Sequence, residues 1–407
     1  MIERSPESAV SDGKVGIQNT TSNRQPILIA NPGADLYGSD RVLLETVSAL
    51  VSLGNRVIVT VPHKGPLVAH IEQRGGEIEI VRTPVLRKSA LRPKGMAGLL
   101  RDVVAGIRPS VRLLRRLKPQ LILVNTITPP LWFLLARVLG IPVVCHVHEA
   151  EKSVPRWQQL GLNAPLLLAD HLIVNSEFSL HVLSNSFSTL RGRSSVIYNA
   201  VPGPPTKPIA PRANLHGDLR LLYVGRLSAR KGPDVAIVAT KLLVDRGIDA
   251  HLDLVGAVAP GYEKFDRHLH SLVSEHQLEG HVTFHGFQRD VWAFSARTDV
   301  NLVPSTLDEP FGNTAVEAAL AGRPLVVSEI SGLIEASDGL TSCIRVEAGS
   351  ADEIADAAET IMHSWTEYRT SALIDAEFAA DRYSFSRYQK SIAEVVDNAT
   401  CEPHRRC

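Results

Sequence analysis

An excess of charge of either sign is the first thing this 407-residue chain lacks. Its 43 lysines and arginines balance 43 aspartates and glutamates, so no global pull toward nucleic acid or another polyanion is expected. Cysteine is scarce. Cys145, Cys343, Cys401 and Cys407 show neither a disulfide-framework spacing nor a CxxC pair, which fits a reducing cytoplasm. Cys401, His404 and Cys407 could together meet a metal, but a frayed polar tail is the simpler reading. No two glycines stand as GxG, which removes the dinucleotide fingerprint, and the P-loop pattern is missing too. No two aspartates lie two positions apart, so a DxD metal motif is absent, and neither metal nor cofactor is expected. The most apolar region, 121–144, is broken by Pro129, Pro130, Arg137, Gly140 and Pro142 and reads as strand, helix, strand rather than a membrane span. The first 25 residues are polar, carry no signal-peptide core and read as a disordered lead-in. There is no internal repeat or low-complexity tract.

What is present is an alternation. From Pro26 the apolar runs PILIAN, RVIVTV, LILVNT and PVVCHV are separated by helix-period segments at 39–53, 66–74 and 131–139. That pattern predicts parallel strands with crossover helices, an α/β doubly wound sheet. It pauses at the proline-rich PGPPTKPIAPRANLHGD, 202–218, which reads as a linker. It restarts with LRLLYVG, HLDLVG, HVTFHG, DVNLVPS, PLVVSE and CIRVE. The expected organisation is a first Rossmann-like domain over 26–201, a second over 219–381, a last helix over 382–399 and a tail over 400–407. Ligands of such sheets bind beyond the carboxyl ends of the strands, which places a site in the cleft between the halves.

The segment DEPFGNTAVEAALAGRPLVVS, 308–328, is the most informative. A helix is expected from Asn313, stopped by Gly322, with PLVVS as the following strand. Glu309 then lies in the loop at the helix mouth and Glu317 about one turn inside. Carboxylates bind vicinal hydroxyls, and the free N–H groups around Gly312, Asn313 and Thr314 suit a phosphate, so the combination fits a nucleotide sugar. For Glu317 alone, an ordinary solvated glutamate is the competing reading. Arg226 follows an apolar strand and Gly225, where its planar fork can reach a phosphate, and Lys231 stands nearby. Two solvated loop charges are the alternative there. His148 closes the strand VVCHV at its carboxyl end, but His146 shares that side of an ideal strand, and the two remain alternatives.

These segments together resemble the retaining glycosyltransferases of family 4, also called glycosyltransferase group 1. EPFGNTAVE is similar to the family's E-x7-E signature, and LRLLYVGRLSARKGPDVAIVAT, 219–240, to its strand, loop and helix bearing two cations. DHLIVNSEFS at 170–179, SVIYNAVP at 195–202 and DLYGSDRVLLETVSAL at 35–50 resemble further family segments, so the likeness runs from about residue 26 to about residue 398. The resemblance implies the GT-B architecture, two Rossmann-like domains facing each other across a cleft, with the last helix crossing back to the first domain. It also implies that Arg226 and Lys231 bind the donor diphosphate, Glu309 the sugar hydroxyls and Glu317 the ribose. Phe311, Gly312, Asn313 and Thr314 would contact the sugar or diphosphate, and His148 would stand near the anomeric carbon. Gly38 and Ser39 fall where the family's first loop approaches the donor or acceptor, though this loop reads LYGSD rather than Gly-Gly, and Ser39 can equally cap the helix that follows.

Between Arg82 and Lys118 eleven basic residues meet one acid, Asp102. Arg101, Arg108, Arg112, Arg115 and Arg116 share a helical arc of about 100°, opposite Leu100, Val104, Ile107 and Leu114, and Pro109 would split the segment. Such a face suits an anionic membrane carrying a lipid-linked acceptor, or is simply solvated. The expected protein is therefore a metal-independent retaining hexosyltransferase in the cytoplasm or on the inner face of the cell membrane. It would move a sugar from a nucleotide-diphosphate donor to a glycan or glycolipid of the cell surface. A nucleotide-sugar epimerase on the same scaffold, or a non-catalytic nucleotide-sugar-binding subunit, are the rival readings.

Overall fold

The computed structural model describes residues 25–401 apart from 37, 87–89, 91–92, 151, 153 and 260. All but the last residue of the lead-in, and the tail bearing His404 and Cys407, lie outside the described residues.

The first lobe is a parallel sheet of β1 (Ile27–Ala30), β2 (Val57–Val61), β3 (Glu77–Ile80), β4 (Leu121–Asn125), β5 (Val143–Val147), β6 (His171–Val174) and β7 (Ser194–Val196). Its order is β3-β2-β1-β4-β5-β6-β7, with the chain starting in the middle and winding outward both ways. The helices are α1 (Gly38–Ser52), α2 (Pro66–Gln73), α3 (Pro93–Leu117), α4 (Pro130–Leu139), α5 (Arg156–Asn163) and α6 (Glu177–Ser186). β1, β2, β4 and β5 are buried along their whole length, which is why their sequences are continuous apolar runs rather than alternating ones. β3, with the sequence EIEI at the sheet edge, was not among the expected strands.

The second lobe holds β8 (Asp218–Val224), β9 (Asp249–Val255), β10 (Val282–Gly286), β11 (Val300–Val303), β12 (Leu325–Ser328) and β13 (Cys343–Val346), parallel, in the order β10-β9-β8-β11-β12-β13. Around it lie α7 (Pro233–Asp245), α8 (Glu263–Glu275), α9 (Trp292–Ser295), α10 (Asn313–Leu320), α11 (Ser331–Ala336), α12 (Ala351–His363) and α13 (Trp365–Arg382). Two doubly wound lobes of this kind are the GT-B architecture. The last helix, α14 (Phe385–Cys401), leaves the second lobe and packs against the first. Tyr388, Ile392, Val395 and Val396 join the core under α1, and the Tyr388 and Thr46 hydroxyls meet at 2.5 Å.

Between the lobes, 202–217 forms neither helix nor strand, yet it is pinned to the second lobe. The buried Arg323 guanidinium donates to the carbonyls of Ile209, Ser295 and Ala296 at 2.7–2.8 Å, and Arg212 pairs with Asp218 at 2.6 Å and Asp299 at 2.5 Å.

The basic segment departs from expectation twice. Pro109 does not split it: α3 is unbroken, and both Pro109 and Ala105, the residue whose carbonyl loses its amide partner, are exposed. Leu100 and Val104 do not turn inward with Ile107 and Leu114. They are 64% and 61% exposed, and with Met96 at 51% they form an outward stripe at i, i+4 and i+8. The inward face is set instead by Gly106 against Leu131, with Leu113 and Leu114 below, which rotates the buried side away from the expected phase. No helix among the described residues is long and apolar enough to cross a membrane.

Candidate active site

The carboxyl ends of both sheets open on one interlobe cleft of about 510 Å³. All twelve predicted residues line it: Gly38, Ser39, His148, Gly225, Arg226, Lys231, Glu309, Phe311, Gly312, Asn313, Thr314 and Glu317. Ser39 sits inside the first turn of α1, which starts at Gly38, so it does not stand ahead of the helix as a capping residue.

In the second lobe the loop after β8 carries Arg226 and ends in a single 3-10 turn, Ala229–Lys231. Gly232 follows at φ +66°, where an added Cβ would collide with the Pro304 carbonyl, so only glycine lets this loop lie against the one leading to Glu309. That contact aims Lys231 at Glu309: Nζ is 2.8 Å from Oε1, with Arg230 at 3.2 Å and the Ser305 hydroxyl donating at 3.0 Å. Glu309 is buried. Gly312, at φ +122°, packs so closely that a Cβ would lie 2.6 Å from Leu333, and it turns the chain into α10. The amino end of α10 therefore faces the cleft, as does Glu317 one turn in. Burial raises the Glu317 carboxyl above its ordinary range, and the nearby Arg41 and Lys231 pull it back. Arg41, on α1, reaches across from the first lobe to 3.9 Å.

The first lobe contributes His148 through a hydrogen-bond chain whose direction can be read from one carbonyl. Asn31, ending the turn out of β1, donates Nδ2 to the Gly33 carbonyl at 2.9 Å, a group that can only accept. Its Oδ1 must then accept, and Asn125 Nδ2 donates to it at 2.7 Å. Asn125 Oδ1 in turn lies 2.8 Å from His148 Nε2. The proton is thus on Nε2, and Nδ1 is left as an acceptor. Burial lowers the His148 pKa to about 3, so the ring is a neutral imidazole. Asp40 anchors the far end, accepting from Asn31 Nδ2 at 3.2 Å. His146 is fully buried under Tyr388, and the cleft is lined by His148.

Lobe-to-lobe bonds hold the loop from Pro310 to Asn313 and the neighbouring α11 in place. Ser176 and Ser179 hydroxyls donate to the Pro310 carbonyl, Asn199 Nδ2 donates to Asn313 Oδ1 at 2.9 Å, and Glu335 accepts both the Glu177 and Phe178 amides at the start of α6. Sequence reasoning missed Arg41, Arg230, Asn31 and Asn125. The two asparagines were visible as the polar residues that close the apolar runs of PILIAN and LILVNT, at the carboxyl ends of their strands. Among the described residues one group of three has metal-ligand proximity, Asp249, His251 and His281, and it lies at the amino ends of β9 and β10, away from the cleft.

Residues 208–374 match the family described as Glycosyl transferases group 1, and residues 37–202 match Glycosyltransferase Family 4. The chain is 26% identical over 370 residues to 2-deoxystreptamine glucosyltransferase of Streptomyces kanamyceticus, covering 84% of this chain and 94% of that enzyme. It is 31% identical over 254 residues to D-inositol 3-phosphate glycosyltransferase of Arthrobacter sp. (strain FB24), a match spanning 56% of this chain and 58% of that protein's length. In structure it is similar to Anabaena Alr3699/HepE in complex with UDP-glucose, with a TM-score of 0.76 at 21% identity, covering 92% of this chain and 100% of that one.

Proposed function

The chain belongs to the group 1, or family 4, glycosyltransferases, and from that premise we propose that it moves a hexose-type sugar from a nucleotide-diphosphate sugar to a glycan or lipid-linked acceptor, with retention and without a metal. One observation carries the reading: a single cleft gathers the cations Arg226 and Lys231, the carboxylates Glu309 and Glu317, a helix amino end and a neutral histidine. As the glycosidic bond breaks, negative charge grows on the leaving diphosphate, and Arg226, Lys231 and the α10 amino end are the groups able to receive it. Donor binding exchanges partners. Lys231 leaves Glu309 for the phosphates, and Glu309 turns to the sugar hydroxyls. Glu317 takes the ribose, and His148 Nδ1 accepts from a hydroxyl beside the anomeric carbon. Retention follows front-face attack within an ion pair, the mechanism that membership in this family implies.

On this reading 26–201 is the acceptor lobe, 219–381 the donor lobe, and the arginine face of α3 rests on an anionic membrane in the synthesis of a cell-surface polysaccharide or glycolipid. Thermal-shift screening of UDP-, GDP- and ADP-sugars, followed by product analysis with and without acceptor, tests it. A donor at a hundred times its dissociation constant adds about 2.7 kcal/mol of stability. An epimerised sugar formed without acceptor, or binding with no turnover against any acceptor, would replace the transferase reading.

A further inference from the structure

A second cavity, of about 190 Å³, lies in the first lobe just past the carboxyl ends of β4 and β5, walled by the residues that follow these strands and by α5 and α6. Leu86, Ile127, Ala150, Leu162, Val182 and Leu183 give it an apolar lining. It is larger than the roughly 150 Å³ apolar cavity known to admit benzene. It adjoins the cleft through the chain: His148 lines the cleft, and Glu149, the next residue, lines the cavity. Glu149 is anchored by the amides of Ile127 at 3.3 Å and His148 at 3.2 Å, so one carboxyl ties both strand ends at the boundary between the two spaces. Leu86 is the last described residue before the segment that leads into α3 and its outward stripe of Met96, Leu100 and Val104.

We propose that this cavity is a subsite for the acceptor's hydrocarbon portion, an alkyl or isoprenyl segment of about six carbon atoms joined to the hydroxyl-bearing part that lies beside His148. The assignment rests on the transferase reading and names its acceptor class: an amphiphile rather than a free sugar or a wholly polar cyclitol. A chain of this kind belongs in a pocket that offers no charge to a polar ligand apart from Glu149. Burial pushes that carboxyl up to about 7, so it carries less charge than an exposed glutamate.

The test uses the full chain, saturation-transfer NMR and calorimetry, and two probes, octyl β-D-glucopyranoside below its micelle concentration and methyl β-D-glucopyranoside. Each buried methylene multiplies affinity about fourfold, so burying about five more carbons than the methyl probe should make the octyl probe bind about a thousandfold tighter, with saturation concentrated on its chain protons. Val182→Phe and, independently, Ala150→Leu fill the space and should remove that preference while leaving nucleotide-sugar binding unchanged. Equal affinity of the two probes, no binding of the octyl probe, or a preference that survives in whichever filled variant folds overturns the proposal. Donor binding is read separately, so failure of the transferase reading itself would register as loss of nucleotide-sugar binding in the unsubstituted protein.

Discussion

Replacing Asn125 by leucine, a side chain of similar size with no polar atoms, cuts the chain that runs from Asp40 to His148 at its midpoint. Two bonds go, the 2.7 Å bond to Asn31 and the 2.8 Å bond to His148. Both neighbours stay in place, and Asn31 is fully buried, so each is left with an unsatisfied group costing about 1–3 kcal/mol. The expected loss of folding stability is about 2–6 kcal/mol, measured by urea denaturation. The catalytic consequence is separate. Without the Asn125 carbonyl oxygen the imidazole no longer has its proton fixed on Nε2, and the ring is free to shift. A displacement of about 1 Å costs on the order of a hundredfold in rate, so kcat should fall ten- to a hundredfold. Arg226, Lys231 and Glu309 are untouched, so the donor dissociation constant should stay within about threefold. A folded Asn125→Leu protein with undiminished kcat would refute the argument that this chain orients His148. Equal loss in donor affinity and kcat would refute its confinement to the reacting end of the cleft.

Other consequences can be checked alongside. Lys231→Ala removes the 2.8 Å partner of a buried carboxylate together with the cation proposed to meet the phosphates, and should weaken nucleotide-sugar binding about ten- to a hundredfold by calorimetry; unchanged affinity would remove Lys231 from the proposed donor site. Burial pushes Glu149 from 4.5 to about 7, so the folded state holds a proton that the unfolded chain releases. Its stabilising share is full below about pH 4.5 and lost as pH rises through 7, a window of about 2–3 kcal/mol that Glu149→Gln should flatten in denaturation curves at pH 5 and 8. Ile392→Ala in α14 empties a fully buried site under α1 and should cost about 2–5 kcal/mol; a smaller loss would mean that α14 contributes little to the first lobe. Arg108→Glu with Arg112→Glu, both exposed on the arginine face of α3, should abolish co-sedimentation with anionic liposomes at low salt while leaving donor affinity intact. Equal binding by the variant would separate α3 from any membrane contact.

The two-lobed plan was legible because strands buried on both faces must be continuous apolar runs, as PILIAN and LILVNT are, and because the prolines after Val201 interrupt the alternation. β3 was not legible, since EIEI at a sheet edge carries no such run. The glutamates and cations of the second lobe could be read because each sits in a short segment, with Gly232 and Gly312 forcing its local geometry. What the sequence concealed is what depends on three dimensions. The phase of α3 is decided by Gly106 meeting Leu131, and apolar spacing alone misplaced Leu100 and Val104. The His148 relay joins residues from three separate loops and strands, with Asn31 and Asn125 ninety-four positions apart, and no local pattern couples them. The choice between His146 and His148 likewise required knowing that α14 returns to cover His146 with Tyr388.

The central claim is that the two lobes grip a sugar diphosphate between Arg226, Lys231, Glu309 and Glu317. A crystal structure of the protein with whichever of UDP-, GDP- or ADP-glucose gives the largest thermal shift tests it most directly. The account predicts the diphosphate within hydrogen-bond distance of Arg226 and Lys231, the hexose against Glu309 and His148, and the ribose against Glu317. A nucleotide sugar seated outside the interlobe cleft, or in it with its phosphates turned away from both cations, would contradict it.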